Sequence, residues 1–204
     1  MFVIVRSYTD AGLEDELARH AQQEVIPMLM EQPGFRAFFA FETKDGRFIS
    51  ISAFNDREAG LAANERILAW VKENLSELVP NPPEIAFGEA LFPQFAPERS
   101  NRGIPYHIDM VTFEGVTQAP ESIMPRASRH LFPVITRQSG FAGMYNFRSE
   151  ADPGRWVSIH VFDTQQASDA ASETAQALVN EKLADIFPLP PKRVGGTALI
   201  AVTA

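Results

Sequence analysis

The sequence of this chain has no cysteine, no long apolar run and no cluster of basic residues. Without cysteine there is no disulfide, no thiolate nucleophile and no thiolate metal site. No apolar stretch approaches the roughly 20 residues of a membrane-spanning helix. The net charge of −8 disfavours nucleic acid, whose phosphates require clustered lysine and arginine. Since no signal-peptide pattern opens the sequence, we expect a cytoplasmic protein that binds neither membrane nor nucleic acid.

Histidine is also scarce, with four in 204 residues, and no pair of them has the helical spacing of a metal site. We therefore predict no metal ion. The sequence also lacks a phosphate-cradling glycine loop, a dinucleotide fingerprint and the Gly-x-Ser-x-Gly elbow of serine hydrolases. These absences predict a protein without a bound cofactor and without a serine nucleophile.

The sequence repeats its own pattern. The pair Gly34-Phe35 recurs as Gly140-Phe141, at an offset of 141 − 35 = 106 residues. The run Phe48–Phe54 has its counterpart in Trp156–Phe162, at an offset of 156 − 48 = 108 residues. A fixed offset sustained through most of each half is the mark of duplication. Two fused copies can pack as a built-in dimer and then diverge, so that one of them is free to carry chemistry.

Each copy predicts the order β-α-β-β-α-β, which is a ferredoxin-like α+β fold. We place the first repeat at 1–92, a proline-bounded polar linker at 93–105 and the second repeat at 106–204. The predicted strands are apolar on both faces. In the second strand, the predicted face toward one side is Phe35, Ala37, Phe39 and Phe41, and the face toward the other side is Phe38 and Ala40. We therefore expect two sheets packed face to face, with an aromatic-lined interior between them and the helices outside. The alternative is two independent domains on a tether.

These motifs resemble the antibiotic-biosynthesis-monooxygenase-like family of the dimeric α+β barrel superfamily. The shared features are a proline in the first helix, a Gly-Phe pair that opens the second strand, a Phe-(Asn)-Asp entry to the second helix and a closing proline pair: Pro27, Pro133, Gly34-Phe35, Gly140-Phe141, Phe54-Asn55-Asp56, Phe162-Asp163, Pro82-Pro83 and Pro190-Pro191. The resemblance covers nearly the whole chain, twice. It implies that the two repeats form an intramolecular dimeric α+β barrel, a fold that hosts cofactor-free oxygenases, haem-degrading enzymes and isomerases.

The chain departs from the haem-degrading branch of that superfamily. The branch uses an asparagine on the first strand, with a tryptophan and a haem-ligating histidine on the second helix. At the strand position this chain has Arg6 in one copy and Val111 in the other, and neither second helix contains histidine. The resemblance therefore implies chemistry without haem.

His160 is the predicted general base. It stands where the first repeat has Ser52, on a strand whose side chains fall into two sets: Trp156, Ser158, His160 and Phe162 on one face, and Val157, Ile159 and Val161 on the other. Because the second set is purely apolar, we expect it to face the helices and His160 to face the cavity between the sheets. A histidine near its usual pKa can take a proton from a phenol. The alternative is a hydrogen-bonded core histidine.

Further site residues follow from the same alternation. Arg6 and Asp109 are predicted to join His160 in a polar cluster, and the alternative is that both lie near strand ends, solvated or paired. Tyr145, which replaces Phe39, is predicted to stabilise an anion together with Arg6. The remaining predicted pocket residues are Ser158, Trp156, Phe39 and Ser52; for Trp156 the alternative is a core position.

The resemblance, together with the predicted aromatic cavity and His160, implies a monooxygenase that uses no cofactor and oxidises a small aromatic or polyketide-like substrate between the sheets. The alternatives are a non-catalytic protein that binds an apolar metabolite, and a filled interior with function at the surface. We expect a small hydrophobic ligand as partner, and either a monomeric pseudo-dimer or a homodimer.

Overall fold

The computed structural model describes residues 1–9, 14–96 and 106–204. The chain divides into two compact units, Met1–Glu89 with Ala198–Ala204 (unit 1) and Ala90–Thr197 (unit 2). Most of the predicted linker, residues 97–105, lies outside the described residues. The last seven residues, which the sequence pattern assigned to the second repeat, belong to unit 1.

Unit 1 is an antiparallel sheet with helices. Its elements are β1 (Phe2–Tyr8), α1 (Glu14–His20), a π-helical turn (Ala21–Val25), α2 (Ile26–Met30), β2 (Phe35–Glu42), β3 (Phe48–Phe54), α3 (Arg57–Asn74) and β4 (Glu84–Glu89). The strand order is β4-β1-β3-β2, and residues 198–203 pair with β2. The apolar faces of the helices pack on one face of this sheet in a core that includes Leu29, Phe54 and Ile67.

Unit 2 repeats this arrangement. Its elements are β5 (Gln94–Phe95), β6 (His107–Phe113), α4 (Pro120–His130), α5 (Phe132–Thr136), β7 (Phe141–Arg148), β8 (Trp156–Phe162), α6 (Gln165–Lys182) and the first half of β9 (Lys192–Thr203). Residues 192–197 pair with β6, and the order continues through β8 and β7 to β5. The α+β class and the ferredoxin-like order of both repeats are confirmed.

The element bounds reproduce the offset read from the sequence. Strand β7 begins 141 − 35 = 106 residues after β2, and α6 begins 165 − 57 = 108 residues after α3. Strand β6 begins 107 − 2 = 105 residues after β1. These three offsets identify the structurally equivalent position of each residue in the other repeat.

The Gly-Phe pairs open β2 and β7 because the backbone there requires glycine. Gly34 has φ of +74° and Gly140 has φ of +82°, a left-handed conformation that favours glycine. Each glycine carbonyl accepts a hydrogen bond from the residue just after the next strand, Asn55 N at 2.7 Å and Asp163 N at 2.8 Å. The motif therefore fixes the start of each second strand against the entry to the long helix.

The two long helices are capped at equivalent positions. From residue type, Asn55 or Asp56 is expected to cap α3 and Asp163 to cap α6. Asp56 does cap α3 and accepts a hydrogen bond from Ala59 N at 2.9 Å. For α6 the expectation is wrong, because Thr164 is the cap and accepts from Ala167 N at 3.2 Å. Since 164 − 56 = 108, the repeat offset identifies the cap better than the residue type does.

A β-bulge reverses the face expected for the start of each second strand. Phe35 pairs with Phe54, but Ala37 pairs with Ala53, so Arg36 is an extra residue between them. The prediction that Phe35 shares a face with Ala37, Phe39 and Phe41 is therefore wrong. Phe35 lies with Phe54 in the core beneath the helices, and the other three side chains point to the opposite face. The second repeat has the same bulge between Phe141 and Gly143.

Candidate functional site

A pocket of about 450 Å³ lies within unit 2, between its sheet and the helices α5 and α6. This volume falls in the range of small-molecule sites. The walls are mainly apolar, and a few polar side chains interrupt them: Val111, Phe113, Leu131, Ile135, Ala175, Val179 and Pro191, with Ser158, His160, Ser172, Glu173, Gln176 and Arg193. Glu173 is exposed, so the pocket reaches solvent along α6.

His160 is the central polar side chain of this pocket. It is 6% exposed, and its Nε2 atom has no hydrogen-bond partner among the described residues. Its other ring nitrogen, Nδ1, lies 4.0 Å from Oδ2 of Asp109, which is too far for a hydrogen bond. Burial lowers the pKa of His160 to about 4; Asp109 raises it and Arg193 lowers it. At neutral pH the ring is therefore uncharged and one nitrogen is available to a ligand.

Asp109 anchors a buried polar network beside His160. Both carboxylate oxygens accept from Nε of Arg193, at 2.8 and 2.9 Å, and Oδ2 also accepts from Ser172 Oγ at 2.9 Å. Asp109 is 1% exposed, whereas the Arg193 side chain is 37% exposed and also contacts Asp169 at 2.8 Å. The network joins β6, β9 and α6, so it holds the two sides of the pocket together.

The expected orientation of β8 is wrong. His160 and Ser158 line a pocket with side chains of α6, and Trp156 and Phe162 belong to the core beneath the helices. The apolar set of Val157, Ile159 and Val161 alternates with them and points to the other face. The reason is that β8 is apolar on both sides, so alternation alone cannot say which face the helices cover.

Tyr145 does not share the face of His160. It pairs with Ile159, while His160 pairs with Met144, because the bulge at Ala142 shifts the alternation of β7. The Tyr145 ring packs edge-on against Phe95 with centroids 5.3 Å apart. Burial raises the pKa of its hydroxyl. Phe39 is the equivalent residue in unit 1, and it likewise pairs with Ile51 and not with Ser52.

The hydrogen bonds of Arg6 do not join it to Asp109 and His160, because its partners Asn64 and Ser52 lie in unit 1. Its Nε donates to Asn64 Oδ1 at 2.7 Å, and its Nη1 donates to Ser52 Oγ at 3.1 Å. The side chain is 0% exposed, so the alternative of a solvated strand end is wrong. Burial lowers its pKa to about 10, and Tyr8 raises it. For Asp109 the alternative of a paired carboxylate is correct, with Arg193 as the partner.

The other predicted pocket residues have mixed positions. Ser158 lines the pocket and donates to Asn146 Oδ1 at 2.7 Å. Trp156 is 2% exposed and lies in the core cluster, which is the alternative given for it. Ser52 is buried with Arg6 in unit 1. Asn146 is a polar side chain that sequence reasoning missed; its Nδ2 has no partner among the described residues.

Arg193 is the principal residue that sequence reasoning missed. It follows the Pro190-Pro191 pair and stands where the first repeat has Ile85, since 193 − 85 = 108. An arginine that replaces an apolar residue on a paired strand is a signal, and so is the matching replacement of Ile4 by Asp109. The two exchanges read together predict the ion pair.

Protonation of His160 makes folding depend on pH. The folded-state pKa is about 4 and the ordinary value is 6.5, so the unfolded chain binds the proton first. The stability contribution is therefore fully present above pH 6.5 and is lost as pH falls from 6.5 toward 4, by up to about 3 kcal/mol. Urea unfolding at several pH values measures it. His160→Ser, which restores the residue of the first repeat, is the control: it should lack this part of the pH dependence. Identical profiles would contradict a buried neutral histidine.

Across the described ranges 1–9, 14–96 and 106–204, no helix is long and apolar enough to cross a membrane. In the same part of the chain, no three side chains of histidine, aspartate or glutamate come together as metal ligands.

Comparison with known protein families finds a similarity in the first repeat. The family model for antibiotic biosynthesis monooxygenase matches residues 1–67. No curated protein matches the sequence significantly.

Solved structures match the whole length of the chain. A "putative monooxygenase" from Fusobacterium nucleatum superposes with a TM-score of 0.77 at 10% identity, covering 99% of this chain and 94% of that one. A protein of the same name from Lactobacillus acidophilus gives 0.70 at 13% identity, covering 99% and 96%. An anthrone oxidase-like protein gives 0.63 at 11% identity, covering 100% and 93%. At such identities the likeness establishes the fold. Over residues 1–67, the chain is similar to the antibiotic biosynthesis monooxygenase family.

Proposed function

We propose that this protein is a cofactor-independent monooxygenase whose active site is the unit 2 pocket. The substrate is a small aromatic or polyketide-like molecule with an acidic hydroxyl or ring CH₂ group. The observation that carries the proposal is the uncharged, buried His160 in a mainly apolar pocket of about 450 Å³, with an Nε2 atom that has no partner among the described residues. Mainly apolar walls with a few polar groups fix the orientation of a ring system.

The proposed reaction needs only the substrate and molecular oxygen. His160 accepts a proton from the substrate and leaves an electron-rich anion. Oxygen takes electrons from the reacting carbon and one of its atoms becomes bonded there. Loss of water then completes the conversion of CH₂ and O₂ into C=O and H₂O. The substrate supplies all the electrons, so no flavin, haem or metal ion is required for the balance.

Arg193 is suited to stabilise the anion. It lines the pocket, its charge is present at all physiological pH values, and Asp109 fixes its position from the side away from solvent. The sequence pattern assigned this role to Arg6 and Tyr145. We now prefer Arg193, because Arg6 donates to Asn64 in unit 1 and Tyr145 points to the other face of its sheet.

A bound substrate anion would make His160 a stronger base. A general base works best when its pKa is near the working pH, and the lowered pKa of about 4 makes His160 a weak base in the empty pocket. A substrate anion beside the ring would raise that pKa, because opposite charges within a few ångströms stabilise each other in a low dielectric.

The same lowered pKa favours a second candidate function, a non-catalytic protein that binds an apolar metabolite. In that case Nε2 of His160 only forms a hydrogen bond to the ligand. The two candidates share the ligand class and differ in oxygen use.

The deciding experiment is oxygen uptake with a panel of anthrone, hydroxylated anthrones and naphthols, using full-length protein free of metal and flavin. The monooxygenase predicts stoichiometric oxygen consumption with a product heavier by 14 mass units, as CH₂ becomes C=O (roughly +16 − 2). Binding of a panel member without oxygen uptake would establish the binding protein instead. Native mass spectrometry of the purified protein, beside its denatured mass, identifies any retained ligand.

A further inference from the structure

The two repeats contain the same pocket position, but with very different amounts of space. In unit 2 the pocket measures about 450 Å³, and in unit 1 the equivalent cavity measures about 40 Å³. Equivalent residues line both: Phe113, Leu131, Ser158, Ala175 and Val179 in unit 2 correspond to Tyr8, Val25, Ser50, Ile67 and Val71 in unit 1. A cavity of 40 Å³ holds about one water molecule, which excludes any ring system.

One difference lies on the long helix. Ile67 in α3 corresponds to Ala175 in α6, since 175 − 67 = 108. Ile67 is 4% exposed and faces the small cavity of unit 1. At Ala175 the sec-butyl side chain is replaced by a methyl group, and the methyl group lines the large pocket. The exchange removes packing volume at the middle of the pocket wall.

The second difference is Arg6. It corresponds to Val111, and its hydrogen-bond acceptor Asn64 corresponds to Ser172, since 111 − 6 = 105 and 172 − 64 = 108. In unit 1 the guanidinium group spans from β1 to α3 and is fully buried. In unit 2 the equivalent residues, Val111 and Ser172, both line the pocket. The Arg6 side chain therefore occupies in unit 1 a region that is open in unit 2.

We infer that the chain binds one ligand, in unit 2 alone, and that Ala175 admits it while Arg6 and Ile67 close the equivalent pocket of unit 1. The ligand class, an apolar ring system with one hydroxyl or keto group, rests on the proposed function. The Arg6 side chain then fills the pocket position of unit 1, and Arg6 is not a catalytic residue. Ala175 becomes the residue that sets how large a ring system the pocket accepts.

The test measures the stoichiometry of 1-naphthol binding to the full chain by isothermal titration calorimetry. Wild-type protein is expected to bind one equivalent. Ala175→Ile, which copies unit 1, is expected to weaken binding at least tenfold, and Ala175→Val by less. Circular dichroism and urea unfolding check that each variant is folded. Zero or two sites in the wild type, or unchanged affinity in a folded Ala175→Ile protein, would overturn the inference.

The reciprocal variant copies unit 2 into unit 1. Arg6→Val with Asn64→Ser and Ile67→Ala is expected to create a second site, so that binding rises to two equivalents, or xenon enters unit 1 in a pressurised crystal. A folded triple variant that gains neither would show that Arg6 and Ile67 do not close the pocket. The readout is binding, so a protein that binds one naphthol but consumes no oxygen would defeat the proposed oxygenase and leave this inference intact.

Discussion

Replacing His160 by glutamine is expected to slow oxygen uptake by about 10²–10⁴-fold, the contribution typical of a general base. Glutamine can still form a hydrogen bond from the same wall of the pocket, so binding should weaken much less than turnover. The histidine ring is 6% exposed and has no partner at Nε2 among the described residues, so its removal breaks no hydrogen bond at that atom. The measurement compares kcat and KM on whichever panel compound supports oxygen uptake.

A matched control tests whether the loss of turnover depends on where the histidine lies. His20→Gln makes the same exchange on α1 of unit 1, where the side chain lies beside Glu24 at 3.0 Å. We expect its kcat to equal that of the wild-type protein. If His160→Gln retained full oxygen uptake, His160 would be no base, and the reaction would require another group. If His160→Gln lost binding and turnover in equal measure, the histidine would act only in holding the ligand.

The architecture can be predicted from the sequence because it depends on local features that occur in both repeats. Glycine at positive φ, proline at helix starts and the spacing of apolar residues are local requirements, so they survive divergence of the two copies. The offsets of 106 and 108 between equivalent elements can be counted directly in the sequence, and the element bounds repeat them. Element type and order therefore follow from local chemistry.

The sequence does not predict in the same way which face of each strand the helices cover. A strand that is polar on one side reveals its buried face, but β3 and β8 are buried over all seven residues. A single extra residue, Arg36 in one copy and Ala142 in the other, then reverses the alternation without any mark in the hydrophobic pattern. This is why Tyr145 was grouped with His160, although it pairs with Ile159.

The candidate site is predictable in part, from differences between the two copies. His160 and Asp109 stand out because their counterparts are Ser52 and Ile4. Arg193 on the last strand is an exchange of the same kind, but it was not among the predicted residues. The size of the pocket depends on exchanges of the same kind, Ile67 to Ala175 and Arg6 to Val111. They could not be recognised as pocket residues from the sequence, because the covered face of each strand was not known.

The second large effect concerns the ion pair of Asp109 and Arg193. Replacing Arg193 by isoleucine is expected to destabilise unit 2 by about 3–5 kcal/mol, the cost of leaving one member of a buried pair without its partner. Asp109 is 1% exposed and would lose the two hydrogen bonds at 2.8 and 2.9 Å, keeping the one from Ser172 Oγ. Urea unfolding at pH 7 measures the loss.

The first repeat supplies the control for this pair. It has Ile4 and Ile85 at the equivalent positions, so Asp109→Ile with Arg193→Ile replaces the pair by side chains that this fold already accommodates. The double variant should recover most of the stability, because exchanging a buried ion pair for apolar residues is often neutral. Asp109→Ile alone should cost less than Arg193→Ile alone, since the Arg193 side chain is 37% exposed and keeps its contact with Asp169.

The same variants test whether the pair positions His160 or only stabilises the fold. Arg193 lowers the pKa of His160 and Asp109 raises it, so Arg193→Ile should move that pKa upward from about 4. The ring proton signals of His160, followed by NMR against pH, measure the shift. An unchanged pKa together with lost stability would make the pair purely structural. A raised pKa would show that the Arg193 charge, in addition to burial, helps to keep the His160 ring uncharged.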